Sequence, residues 1–204
     1  MYKIIVANYR DDSSGPMQVV SGPLGKETVH FEAPSATLLK SEMNHFLEWL
    51  NTPDRQDPIL KAGIAHFWFI SLHPFEDGNG RIARAITDMI LCRSEKKARR
   101  FYSLSSQIEK ERKAYYKILE SSQKSTLDIT DWLFWFLNCL KNSIDEATSI
   151  VEKIMAKHKF WNTHKTAIFN ERQIKVLELL LSDFFGKLNT SKWAEINRCS
   201  QDTA

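Results

Sequence analysis

The chain has 204 residues, 43% hydrophobic and 26% charged, with a formal net charge of +3, enough material for one good core and a small second one. That charge demands neither a nucleic-acid nor a membrane partner, and no apolar run reaches the ~18 residues of a membrane span. No signal peptide is visible. The three cysteines, Cys92, Cys139 and Cys199, lack metal-ligand spacing and read as reduced structural thiols of a cytoplasmic protein.

Residues Met1 to Asp12 carry beta-branched Ile4, Ile5 and Val6 ahead of Tyr9-Arg10-Asp11-Asp12 and receive no assignment. From Met17 to Glu32 two beta-prone runs flank a Pro/Gly-containing turn, the signal of a hairpin at about 17–32. Pro34 is expected to open an amphipathic helix to about Leu50, with Leu38, Leu39, Met43, Phe46, Leu47 and Leu50 on its core face. After a loop from Asn51 to Asp57, Pro58 takes the first position of a second helix. Ile59 to Leu72 is apolar on nearly all sides, as befits the middle of a bundle; His66, Trp68 and Phe69 are read as core.

That helix delivers His73-Pro74-Phe75-Glu76-Asp77-Gly78-Asn79-Gly80-Arg81-Ile82-Ala83-Arg84. Gly78 and Gly80 permit backbone angles closed to other residues, so successive N–H groups can form an anion nest where the next helix begins. Asn79 can add an amide donor, and Asp77 is a hard oxygen ligand suited to Mg2+ held jointly with a polyphosphate. Arg81 and Arg84, three apart, share a helix face and can grip phosphate oxygens. His73 is the acceptor for a hydroxyl proton.

Downstream, Ile82, Ala85, Ile86, Met89 and Ile90 continue an amphipathic helix. The basic run from Arg93 to Arg100 reads as solvated. Ser105 or Ser106 caps a helix over Gln107–Gln123, and Asp128 or Thr130 caps the longest helix. Its apolar face runs from Trp132, Leu133, Trp135, Phe136, Cys139, Leu140 and Ile144 through Ile150, Ile154 and Met155 towards Phe160 and is expected to close the bundle. Residues 162–169 carry no signal. Asn170 then caps Glu171–Asp183, with Ile174, Leu177, Leu180 and Leu181 as its face and Gly186 as its stop. Thr190 or Ser191 caps Lys192–Arg198, and Ser200 caps a third helix reaching Ala204. Three short capped helices resemble the start of a winged helix-turn-helix over 170–204; its DNA-reading helix would be the missing one, and such modules also serve protein contacts.

The motif fits His-x-Phe-x-[Asp/Glu]-Gly-Asn-Gly-Arg-x-x-Arg at every fixed position, so the chain resembles the Fic (Fic/Doc) family of nucleotidyl transferases. The resemblance implies a mainly helical Fic domain over 1–161, with motif loop 73–84 and the hairpin as a flap over the site. It implies a protein adenylyltransferase: His73 deprotonates a Ser, Thr or Tyr hydroxyl of a target protein docked at the flap, and that oxygen attacks the α-phosphate of ATP. Phe75 would be buried to fix the loop, Asp77 would hold Mg2+, Gly78, Asn79 and Gly80 would form the anion hole, and Arg81 and Arg84 would clamp pyrophosphate. Val20, Ser21 and Gly22 would approach the nucleotide, and His30 is left as a flap surface residue. Tyr115, Tyr116 and Gln123 stand where the family lines its adenine pocket, Gln123 replacing the more familiar asparagine. Gly80, where kinases of the superfamily have lysine, argues for AMP transfer.

Two other functions fit the same residues: a nucleotide-binding adaptor with a winged-helix module, and an enzyme that removes AMP or transfers another phosphate-linked group. Many Fic enzymes are restrained by a helix bearing [Ser/Thr]-x-x-x-Glu-[Gly/Asn], whose glutamate pairs with the residue matching Arg84. Neither Ser191 to Glu195 nor Thr28 to Glu32 completes that pattern. An inhibitory glutamate is therefore expected from a missing N-terminal portion or a partner chain.

Overall fold

A computed structural model describes residues 9–201 apart from 14, 24–25, 54–55, 96–99, 126 and 183; Ile4, Ile5, Val6 and the end of the expected last helix lie outside the described residues. The chain divides into two compact units, Met1–Ile144 and Asp145–Ala204. No helix among the described residues is long and apolar enough to cross a membrane.

In the first unit, β1 (Gln18–Ser21) and β2 (Thr28–Glu32) form an antiparallel hairpin. The helices α1 (Ala36–Asn51), α2 (Pro58–Leu72), α3 (Asn79–Ser94), α4 (Leu104–Lys110), α5 (Arg112–Lys124) and the first part of α6 (Thr130–Thr163) follow. Asp57 caps α2 by accepting from the N–H groups of Ile59 and Leu60, with Pro58 at the start, where a missing N–H costs nothing. The all-apolar α2 occupies the middle: Ala62, Gly63, Ala65, His66, Phe69, Ile70 and Leu72 are buried, while Trp68 is half-buried. Met43 and Phe46 of α1, Ala83 and Leu91 of α3, Leu119 of α5 and Trp132 and Phe136 of α6 complete one core.

Gly63 allows α6 its close approach to α2. A Cβ there would stand 2.9 Å from Phe136 Cδ1 and 3.1 Å from Leu133 Cδ2. The Gly63 carbonyl also accepts a hydrogen bond from the indole Nε1 of fully buried Trp132 at 2.9 Å.

Several expected boundaries move because side-chain bonds, rather than periodicity, set them. Ser35, not Pro34, caps α1. The helix expected over Gln107–Gln123 is two helices: Ser103 caps α4 by accepting from Ser106 N–H, and the chain breaks at Glu111 (φ −98°, ψ 20°) before α5. The Glu111 carboxylate is drawn to Gln107 and to Asn142 of α6.

In the second unit, Ile150, Ile154 and Met155 of α6 are exposed, so the expected burial of the apolar stripe ends near Ser143. The helix α7 (Glu171–Leu180) carries a reciprocal capping box between Asn170 and Gln173. It stops at Leu181, short of the expected Asp183, and Gly186 (φ +89°) turns the loop beyond. Its buried residue is Val176, while the expected Ile174 and Leu180 are exposed. Asn189, rather than Thr190 or Ser191, caps α8 (Thr190–Asn197): an amide one position earlier reaches Lys192 N–H at 2.8 Å.

A branched side chain at Gly63 must push α6 away. Gly63→Val should lose about 1–3 kcal/mol of stability, read as a lower urea midpoint by tryptophan fluorescence; an unchanged midpoint would show that the two helices do not meet there.

Candidate active site

The motif loop is held in shape by its own side chains. The carboxamide of buried Asn79 takes the N–H of Phe75 on Oδ1 (3.0 Å) and returns Nδ2–H to the Phe75 carbonyl (2.5 Å). The carboxamide thus braces the loop's own backbone. Phe75 is buried between Phe69 and Tyr9, with ring centroids at 6.3 and 5.9 Å. His73 ends α2 in the left-handed region (φ 47°, ψ 54°), a conformation that costs a non-glycine residue about 1 kcal/mol and persists where neighbours over-determine it.

After the turn, Gly78 (φ 86°) stands at the N-cap of α3 and supplies no side-chain cap. The first intrahelical bond is Ile82 N–H to the Gly78 carbonyl, so the N–H groups of Asn79, Gly80 and Arg81 precede the ladder at the positive end of the helix dipole.

Above this turn lies a cavity of about 580 Å3, within the usual range for a small-molecule site. The flap contributes Val19, Val20, Ser21, His30 and Phe31, α2 and its turn Ile70 and His73, and α3 Gly80 and Arg84. Arg112, Tyr115, Tyr116, Leu119, Glu120 and Gln123 line the α5 wall. The structure thus brings His73, Gly80, Arg84, Tyr115, Tyr116, Gln123, Val20 and Ser21 to one cavity. Gly22, Phe75, Asp77, Gly78, Asn79 and Arg81 are not among its lining. Gly22 (φ +112°) turns the flap, where a Cβ would meet the Lys26 carbonyl at 2.9 Å. Gln123 donates to Ser71 Oγ at 3.0 Å.

The imidazole of His73 sits at the cavity with Nδ1 3.4 Å from the Ile70 carbonyl. A carbonyl can only accept, so Nδ1 carries the proton and Nε2 keeps the lone pair. Burial pushes this imidazole below its ordinary value; the Ile70 carbonyl draws it partly back, and the Arg10 charge pushes it down again. It is therefore neutral near pH 7. Among the described residues Arg84 has no carboxylate partner, which leaves a cation facing the cavity.

Behind the pocket a buried chain of bonds fixes Tyr115. The Thr87 hydroxyl donates to the Ala83 carbonyl (2.8 Å), so it accepts from His66 Nδ1 (3.0 Å), and His66 Nε2 then accepts from the Tyr115 hydroxyl (3.1 Å). Burial, helped by the Arg84 charge, pushes His66 down to about 3.

Asp77 is the expected Mg2+ ligand. Its Oδ1 accepts from Gly78 N–H at 2.6 Å and its Oδ2 pairs with Arg81 at 2.8 Å, with the carboxylate 90% and the guanidinium 72% exposed. No group of three or more His, Cys, Asp or Glu side chains suited to a metal occurs among the described residues. One accessible carboxylate fits an ion that brings most of its ligands as phosphate and water.

Sequence reasoning missed His30, Arg112 and Glu120. The hairpin register jumps between Val19↔Phe31 and Val20↔Val29, making His30 the extra residue of a bulge, a device that re-aims a side chain. Its ring bridges Ser21 Oγ (2.6 Å) and Glu120 Oε2 (2.9 Å), tying flap to α5 beside the cavity. Nothing in the alternation of the strand signals that bulge.

The Fic/DOC family model matches residues 1–91. Protein adenylyltransferase fic-1 of Caenorhabditis briggsae is 33% identical over 96 residues, 46% of this chain and 18% of that protein. Protein adenylyltransferase Fic of Nematostella vectensis is 31% identical over 114 residues, 55% of this chain and 25% of that protein. The chain thus spans a quarter or less of these relatives. A Fic family protein from Desulfovibrio desulfuricans G20 shares the fold, with a TM-score of 0.55 at 23% identity over 96% of this chain and 52% of that one. A Fic domain containing signaling protein from Bacteroides thetaiotaomicron VPI-5482 gives 0.52 at 25% identity over 72% and 56%.

The His66 bonds require a neutral ring, and its folded value lies below the unfolded one. Stability from this group is complete above pH ~6.5 and should fall by about 1.4 kcal/mol per pH unit as pH drops from there towards about 3. Urea midpoints across that range should show the slope, and His66→Gln should remove this contribution to it. Residues 1–91 carry a Fic/DOC family domain.

Proposed function

We propose that this protein is an adenylyltransferase that moves AMP from ATP to a hydroxyl of a target protein. The observation that carries the reading is the convergence of a neutral His73, the Gly80 end of α3 and the Arg84 guanidinium on one cavity walled by Tyr116 and the flap. The names of the partial relatives, protein adenylyltransferases, support the same chemistry.

His73 Nε2 takes the hydroxyl proton as the oxygen attacks the α-phosphorus. The new P–O bond forms as the bond to the leaving pyrophosphate breaks, and the proton stays on His73 until it passes to solvent. The N–H groups at the start of α3 meet charge on the α-phosphate, the largest kind of contribution to such barriers. Arg84 holds the departing phosphates. Asp77 would hold Mg2+, which neutralises phosphate charge when bound. Tyr116 and Leu119 offer apolar surface to the base.

The target segment pairs with the flap by strand addition; Val20 and Val29, 47% and 44% exposed, are free to receive it. A glutamate from another segment or chain, opposite Arg84, would restrain the reaction. The α7–α8 pair belongs to a winged-helix-like module for protein or DNA contacts.

Incubation with Mg-ATP should add the mass of AMP to the protein itself or to a bait. His73→Ala should cut the rate by ~10²- to 10⁴-fold while retaining ATP binding; equal labelling by both forms would remove the histidine from the mechanism. Because the pKa of His73 is lowered and the base must be neutral, the rate should fall on the acid side only below ~6.5, the ordinary imidazole value. An acid limb above that value would contradict a buried neutral base.

A further inference from the structure

We propose that Arg10, a residue outside the His-to-Arg motif and outside the nucleotide cavity lining, is the positioning residue that sets the orientation of His73. The inference rests on His73 acting as the base.

Arg10 is 5% exposed, and its side chain is committed on three sides. Nε donates to the His73 carbonyl at 2.9 Å, one terminal nitrogen donates to the Pro34 carbonyl, and the other pairs with Asp12. Its backbone N–H adds a bond to the Pro74 carbonyl at 3.1 Å. One residue therefore takes both carbonyls of the His73-Pro74 pair.

The bond to the His73 carbonyl fixes the peptide plane that follows His73, while the bond from His73 N–H to the Phe69 carbonyl at 3.2 Å holds the plane before it; with both planes held, the left-handed His73 has the direction of its Cα–Cβ bond set. Asp12 is anchored in turn, its other oxygen accepting from Ala36 N–H at 2.7 Å where α1 begins. Tyr9, the preceding residue, stacks on Phe75 of the same loop. The guanidinium is thus a rigid fork between the start of α1 and the turn that carries the base. Forked geometry is what arginine supplies and lysine does not.

A brace needed only for folding would be blind to the state of the imidazole, so the test reads kinetics and the ring separately. On the 204-residue chain, Arg10→Gln and Arg10→Lys are compared with wild type for kcat and KM for ATP, and for the ring signals of His73 and His66 by NMR of histidine-labelled protein. His73→Ala assigns the His73 signal. Arg10→Gln should lower kcat by about 10- to 100-fold, the scale of a misplaced reacting group, with KM for ATP unchanged. The His73 signal should move while His66, bonded inside the core, stays. Arg10→Lys should recover part of kcat and serves alone if the glutamine form does not fold.

Unchanged kcat with an unmoved His73 signal in a folded variant overturns the proposal. So does a change confined to KM, or a joint shift of both histidines, which is the signature of general loosening. If wild type transfers no AMP, the functional reading fails while the ring signals still decide what Arg10 does.

Discussion

Asn79 lends its carboxamide to both backbone polar groups of Phe75, and the shape of the motif loop hangs on that exchange. The six-residue turn between α2 and α3 has no regular ladder and would otherwise leave a buried N–H and carbonyl unpaired, each at a cost of about 1–3 kcal/mol. With the pair closed, Phe75 is free to drop into the core beside Phe69. The left-handed His73 stands on one side of the turn and the open end of α3 on the other. The proposed base and the proposed anion cradle are thus two ends of one braced loop.

Burial gives two histidines different fates. His66 and His73 are both pushed below the ordinary imidazole value by desolvation. Both nitrogens of His66 are engaged, to Thr87 and Tyr115, so it can only shape the pocket wall. His73 has one nitrogen turned to its own helix and the other unspent at a cavity. The same physical effect makes one ring structural and leaves the other able to take a proton. Arg84 links the two regions, because its charge disfavours protonation of His66 while it faces the space where phosphate charge is proposed to sit.

Much of this was legible in the text. The continuous apolar run before His73 reads as a central helix, and Pro58 marks its start. What escaped depends on contacts distant in sequence. The bonds of the Asn79 side chain to Phe75, four residues back, leave no trace in the motif. The bulge at His30 leaves no mark on strand alternation. At Glu111, where the chain breaks between α4 and α5, one carboxylate oxygen accepts from side chains of both α4 and α6, contacts that no periodicity announces. Arg10 reaches across 63 positions to a backbone carbonyl, and no periodicity records a bond to a main-chain atom. Periodicity likewise could not tell that the apolar stripe of α6 stops being buried near Ser143.

The central claim is that the loop cradles a triphosphate under the flap with its α-phosphate beside an unprotonated imidazole. A crystal structure with an ATP analogue that cannot be cleaved at the α–β bridge tests it most directly. The account predicts the base against Tyr116 and Leu119, the α-phosphate over the Gly80 end of α3 beside His73 Nε2, and the outer phosphates at Arg84. Nucleotide bound elsewhere, or seated here with its α-phosphate turned away from His73, would contradict it.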